Sequence, residues 1–181
     1  MKRLQRAALL TELVEQMRAH DSWCGETHLQ KATFFLQELL GVDLDYEFVL
    51  YKHGPFSFDL RDELGDLVSD KLIRYQPQVP PYGPRIGVTE EGEAVQEIYP
   101  TTLARYADRI AFVADKLDAR GVIDLERLAT ALYVTLDAPQ ASAEHRAHLL
   151  RQLKPHIPEP AALRAVRELD GIRAEAEAIA A

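Results

Sequence analysis

Tyr51-Lys52-His53-Gly54-Pro55-Phe56-Ser57 is the stretch on which the fold turns. Before it, Tyr46 to His53 is rich in Tyr, Phe, Val and Leu, so a short strand is expected with Phe48 and Leu50 on one face and Val49 and Tyr51 on the other. Gly54-Pro55 is expected to break that strand, because glycine admits a tight backbone and proline lacks the donor a ladder needs. After the corner, Ser57 can cap a helix whose apolar positions Leu60, Leu64, Leu67, Val68 and Leu72 keep the helical period, with Asp59 near its positive end. Gly54, Pro55 and Ser57 thus serve as a structural corner and Phe56 as core, which leaves Lys52 and His53 as candidates for surface recognition.

Working back from the corner, Leu4, Ala7, Ala8, Leu10, Leu13, Val14 and Met17 form the apolar face of a first helix ending near His20. Thr27-His28-Leu29-Gln30 has the form of a capping box and opens a second helix, with Leu29, Ala32, Leu36 and Leu39 or Leu40 inward and Gly41 as its stop. Working forward, residues 73–79 and 85–88 read as a hairpin around Pro80-Pro81-Tyr82-Gly83-Pro84, followed by a helix capped by Thr89. Helix, helix, strand, helix, hairpin, helix is the winged-helix order.

Beyond Pro100 the pattern is helical. Leu103, Tyr106, Ala107, Ile110, Val113 and Leu117 form one stripe, and Leu125, Leu128, Ala129, Leu132 and Leu136 another. A shorter helix is expected over 142–153, then a proline-rich connector through Pro155, Pro158 and Pro160, then a last helix from about Ala161. The expected fold is α+β and predominantly α: a winged-helix-like unit with a small β-hairpin over residues 1–100, and a helical region over 101–181 packed on it as one cooperative unit.

Composition narrows the function. The net charge is −8, and residues 1–100 hold 10 basic against 17 acidic side chains. Nucleic-acid binding needs clustered Lys and Arg to neutralise phosphates, and the third helix offers Asp59, Asp62, Glu63, Asp66 and Asp70 against Arg61 and Lys71. DNA is therefore disfavoured as a partner. Cys24 is the only cysteine, so neither an intrachain disulfide nor a multi-cysteine metal cage can form. His20, Cys24 and His28 are spaced four apart, but the intervening Asp21-Ser22-Trp23-Cys24-Gly25 reads as a loop, and the spacing is not one of the strong zinc patterns. No nucleophile elbow surrounds Cys24 or Ser57, and no glycine-rich phosphate loop is present. His145 and His148 read as solvated residues on an amphipathic helix. No catalytic residue, metal or cofactor is expected, and without a signal peptide or an apolar run near ~20 residues a cytoplasmic protein is expected.

The segments His28-Leu29-Gln30-Lys31, Tyr46-Glu47-Phe48 and Tyr51–Ser57 together resemble the bacterial YwgA-like proteins. The chain is more remotely similar to the Panacea or SocA-like antitoxin domain, which shares a leucine-glutamine-lysine helix and a later glycine-proline corner. The resemblance covers residues 25–73 best. Leu128-Ala129-Thr130-Ala131-Leu132-Tyr133 and Leu153-Lys154-Pro155 look like the YwgA-type C-terminal region. Where the Panacea pattern commonly has a tryptophan before its corner, this chain has Tyr51-Lys52-His53. The YwgA-like resemblance implies no activity; the antitoxin resemblance implies neutralisation of a toxin by direct binding. The expectation is a non-catalytic regulatory protein that meets a protein with a basic surface through Tyr51, Lys52, His53, Phe56, Asp59, Asp62 and Asp66. A winged-helix transcriptional regulator is the alternative, and homo-oligomerisation is left open.

Overall fold

The computed structural model describes residues 1–180 and is predominantly helical with two small antiparallel hairpins. The first helix, α1 (Arg3–Ala19), buries Ala7, Ala8, Leu10, Leu13, Val14 and Met17, whereas Leu4 lies one turn before that stripe closes and is exposed. The second, α2 (Glu26–Phe34), runs into a π-helical turn at Phe35–Leu39. Gly41, at φ +65°, takes the left-handed turn that ends it. The expected Thr27 capping box does not form. Gly25 is the N-cap residue, and Gln30 is fully buried with its amide committed to Ser57.

The strand is shorter than its composition predicts, and Gly54-Pro55 does not end the pairing but starts a second strand. Strand β1 (Val49–Tyr51) pairs antiparallel with β2 (Gly54–Phe56), Tyr51 opposite Gly54 and Val49 opposite Phe56, so Lys52 and His53 form a two-residue turn. Gly54 permits this because its φ is +88°. Pro55 is tolerated because a two-stranded hairpin is all edge. Helix α3 (Phe58–Ser69) follows at once, with Ser57 Oγ accepting from Leu60 N at 3.2 Å.

Strands β3 (Ile73–Gln76) and β4 (Arg85–Val88) make the wing; the pairing stops at Gln76 instead of continuing to Val79. Ile86 N also donates to the Cys24 carbonyl at 2.7 Å, which ties the wing to the α1–α2 loop. Helix α4 (Glu90–Ile98) is capped by Thr89, whose hydroxyl accepts from Gly92 N at 3.1 Å.

The remaining helices are α5 (Pro100–Leu117), α6 (Val122–Asp137), α7 (Ala143–Leu153) and α8 (Glu159–Ala180), the last starting two residues before the expected position. Ala107 on α5 and Leu136 near the end of α6 are exposed, off the buried stripes assigned to them. One apolar core runs through both halves of the chain. It joins Leu13 and Met17 of α1, Leu29 of α2 and Leu64 of α3 to Ile110 of α5, Leu132 of α6 and Leu169 of α8. No described helix is long and apolar enough to cross a membrane.

Candidate partner-binding site

The β1–β2 hairpin has no third strand, so its outward backbone groups need other partners. Side chains supply them. The Gln30 amide works as a surrogate strand edge: its Nε2 donates to the Ser57 carbonyl and its Oε1 accepts from Ser57 N, both at 2.8 Å. Lys31 Nζ donates to the Pro55 carbonyl at 3.0 Å. From the far side, Lys154 Nζ donates to the carbonyls of Tyr51 at 2.7 Å and Lys52 at 2.8 Å.

Two buried ammonium groups need a counter-charge, and Glu126 of α6 provides it. Its Oε1 lies 3.0 Å from Lys154 Nζ and its Oε2 lies 3.4 Å from His156 Nε2. Gly54 closes over the same cluster, since a Cβ there would stand 3.2 Å from Thr130 Oγ1 and 3.6 Å from Lys31 Cε. Gln30-Lys31, Tyr51–Ser57, Thr130 and Lys154 therefore meet in one clasp beneath the hairpin.

Lys31 is only 1% exposed, and burial is the main reason its pKa falls to about 8, with Glu126 pulling it up and Lys154 pushing it down. Above that value the folded protein binds fewer protons at Lys31 than the unfolded chain, whose lysine titrates near ~10.4. Stability attributable to Lys31 therefore rises with pH between about 8 and that unfolded value. Urea denaturation from pH 7.5 to 10.5, compared between the native protein and Lys31→Met, should show this positive slope in the difference. A flat difference would mean that burial does not lower the pKa of Lys31 in the folded protein.

The outer side of the clasp is a surface of a different kind. Tyr51, Phe56 and Phe58 pack on one another with ring centroids 5.1 to 5.6 Å apart, yet Tyr51 is 54% and Phe58 41% exposed. Arg61 lies 5.1 Å over the Phe58 ring and 3.7 Å from Asp62. Asp59, Asp62 and Asp66 are exposed on the solvent face of α3, opposite Leu60, Leu64 and Leu67.

The structure thus brings Tyr51 and Phe56 together beside the helix that carries Asp59, Asp62 and Asp66, and places Lys52 and His53 at the exposed tip of the hairpin turn. Phe56 is half-buried rather than a core residue. Two of the five acids counted on α3 are committed elsewhere. Glu63 is buried, its Oε2 accepting from Arg6 Nε at 2.7 Å and the Tyr46 hydroxyl at 2.6 Å, and Asp70 is bonded to Arg3. Phe58 is the functional candidate that sequence reasoning passed over, although an aromatic at the first helical position after a serine cap was visible.

Cys24 is fully buried, and burial raises its thiol pKa to about 11. Among the described residues no cluster of His, Cys, Asp and Glu is placed to hold a metal ion. No protein-family model matches the chain, and no curated protein matches it.

Proposed function

We propose that this chain is a non-catalytic regulatory binding protein that acts as an antitoxin does, by direct contact with a protein whose surface is basic. The observation that carries this reading is the aromatic face of Tyr51, Phe56 and Phe58, open to solvent and flanked by Asp59, Asp62 and Asp66. Large aromatic side chains left exposed in a cluster are the usual centre of an interface. A lysine- or arginine-rich partner finds rings for cation–π contact and carboxylates for pairing on the same patch. The clasp beneath supports the reading, because it fixes the hairpin that presents Tyr51 and Phe56 before any partner arrives.

The helix–helix–helix–wing order supports the alternative, a DNA-binding regulator, but only by analogy of fold. In that arrangement α3 would enter the major groove, and its exposed face carries three aspartates and one arginine.

Crosslinked capture followed by reconstitution with the purified partner tests the proposal. Asp59→Lys, Asp62→Lys and Asp66→Lys combined should weaken the reconstituted complex by about 100-fold or more, mainly through slower encounter and like-charge repulsion. Unaltered affinity of the triple variant, or tight sequence-specific duplex binding by the native chain at physiological salt, would overturn it.

A further inference from the structure

The wing has two edges, and only one of them is closed. Ile86 N donates to the Cys24 carbonyl at 2.7 Å and the Ile86 carbonyl accepts from Arg18 Nη1 at 2.9 Å, so Ile86 turns both backbone groups away from β3. Opposed residues of an antiparallel pair either exchange both bonds or both point outward. Tyr75 is opposite Ile86 and therefore directs its own N–H and C=O to the outer edge of β3. Among the described residues neither group has a partner. Ile73, two residues earlier, has the same orientation but is buried, whereas Tyr75 is 40% exposed. The β1–β2 hairpin has no such opening, because Gln30, Lys31 and Lys154 serve its edges.

One exposed residue with one free donor and one free acceptor is what a two-fold axis satisfies. If a second copy pairs antiparallel with Tyr75 opposite Tyr75, each N–H meets the other's C=O and both bonds form at once. Arg74 then stands opposite Gln76 of the second copy, not opposite another arginine, so the pairing brings no like charges face to face. Pro77 has no donor and ends the added pairing just beyond Gln76.

The surface around this edge suits the same occupant. Tyr75, Trp23 and Val122 line a chamber of about 470 Å³, and Tyr82, Trp23 and Val122 line the one adjoining it. Tyr82 is 64% exposed and Val79, in the loop that follows β3, 79%; apolar side chains gathered in this way at a surface mark an interaction site. Charge selects the partner. The chain carries −8, so two copies repel one another over most of their surface. Here Arg74, Arg85 and Arg120 stand against Asp21 and Glu26, and a nearly neutral patch of mixed sign can meet its own copy. A strongly acidic or strongly basic partner gains little there. We propose that two copies of this chain pair through the outer edge of β3 about a two-fold axis at Tyr75, joining the two wings into one four-stranded sheet.

Sedimentation equilibrium of the full-length protein should show a monomer–dimer equilibrium with a Kd below about 100 μM. Tyr75→Pro removes the outward donor without breaking a bond within the wing, and should weaken the dimer by about tenfold or more. Should that variant unfold, hydrogen exchange of the Tyr75 amide in the native protein gives the same answer, since it should slow as the concentration is raised through the Kd. Cysteine substitution tests the register. Residues opposed in a bonded antiparallel pair have Cα atoms about 5.5 Å apart, within reach of a disulfide, and the one native cysteine, Cys24, is buried. With oxidised glutathione, Tyr75→Cys should link two chains at least about tenfold faster than Arg74→Cys, whose side chain leaves the other face of the strand and meets Gln76. A native protein still monomeric at about 1 mM, a Tyr75→Pro dimer as tight as the native one, Tyr75 exchange independent of concentration, or equal linking rates would overturn the proposal. None of these outcomes depends on what the α3 face binds.

Discussion

Glu126→Leu is expected to destabilise the protein by about 3–5 kcal/mol, the range found when one partner of a buried ion pair is removed and the other remains. Lys31 and Lys154 are both buried, and without Glu126 Lys154 loses its ion-pair carboxylate and Lys31 keeps only the weaker pull of Glu26. Lys154 would keep its bonds to the carbonyls of Tyr51 and Lys52 but lose the charge that makes burying an ammonium tolerable. Lys31, already depressed, would give up its proton more readily still. The double variant Glu126→Leu with Lys154→Met should recover part of the loss, because it removes the stranded charge along with its partner. Urea midpoints at pH 7 decide both points, and a midpoint unchanged by Glu126→Leu would show that the clasp is not held by this charge. Since the clasp fixes the hairpin, the single variant should also loosen the presentation of Tyr51 and Phe56 to any partner.

Local chemistry was legible in the sequence, and contacts between distant segments were not. The Ser57 and Thr89 caps, the period of α3 and the wing can each be read within a dozen residues, and the structure has them. The Thr27 capping box fails for a physical reason: Gln30 has a second claimant, the backbone of Ser57, buried where an unmet group would cost more than a frayed helix start. The hairpin was misread at Gly54-Pro55 because breaking a strand and reversing it call on the same residues, and only the pairing of Tyr51 with Gly54 distinguishes them. The clasp was out of reach. Lys31, Glu126 and Lys154 are far apart in the chain, and each alone looks like an ordinary helical charge. Of the candidate surface, Tyr51, Phe56 and the three aspartates were legible in the sequence and Phe58 was passed over. Phe58 was missed because the solvent face of α3 was read for its charges alone, and an aromatic ring lies among them.

Two glycine-to-alanine substitutions should move stability in opposite directions, and the contrast tests how α3 is anchored. By helix propensity alone, alanine is favoured over glycine by about 1 kcal/mol inside a helix. Gly65 lies mid-way along α3 with nothing within 4 Å of an added Cβ, so Gly65→Ala should stabilise by roughly 0.5–1 kcal/mol. Gly92 lies in the first turn of α4, where a Cβ would stand 2.2 Å from the Leu72 carbonyl oxygen and 2.7 Å from Val88 Cγ1. Neither neighbour can withdraw cheaply. The Leu72 carbonyl accepts from Thr89 N at 3.2 Å, and Val88 is paired in the wing with Ile73. Gly92→Ala therefore has to push α4 away from the junction of α3 and β3, and overpacking of this kind should outweigh the propensity gain and cost about 2–4 kcal/mol net. Thermal melts of the two variants beside the native protein give the result. A Gly92→Ala protein as stable as Gly65→Ala would mean that α4 does not rest on the Leu72 carbonyl, and that the wing, with the helix before it, is free to shift against the rest of the core.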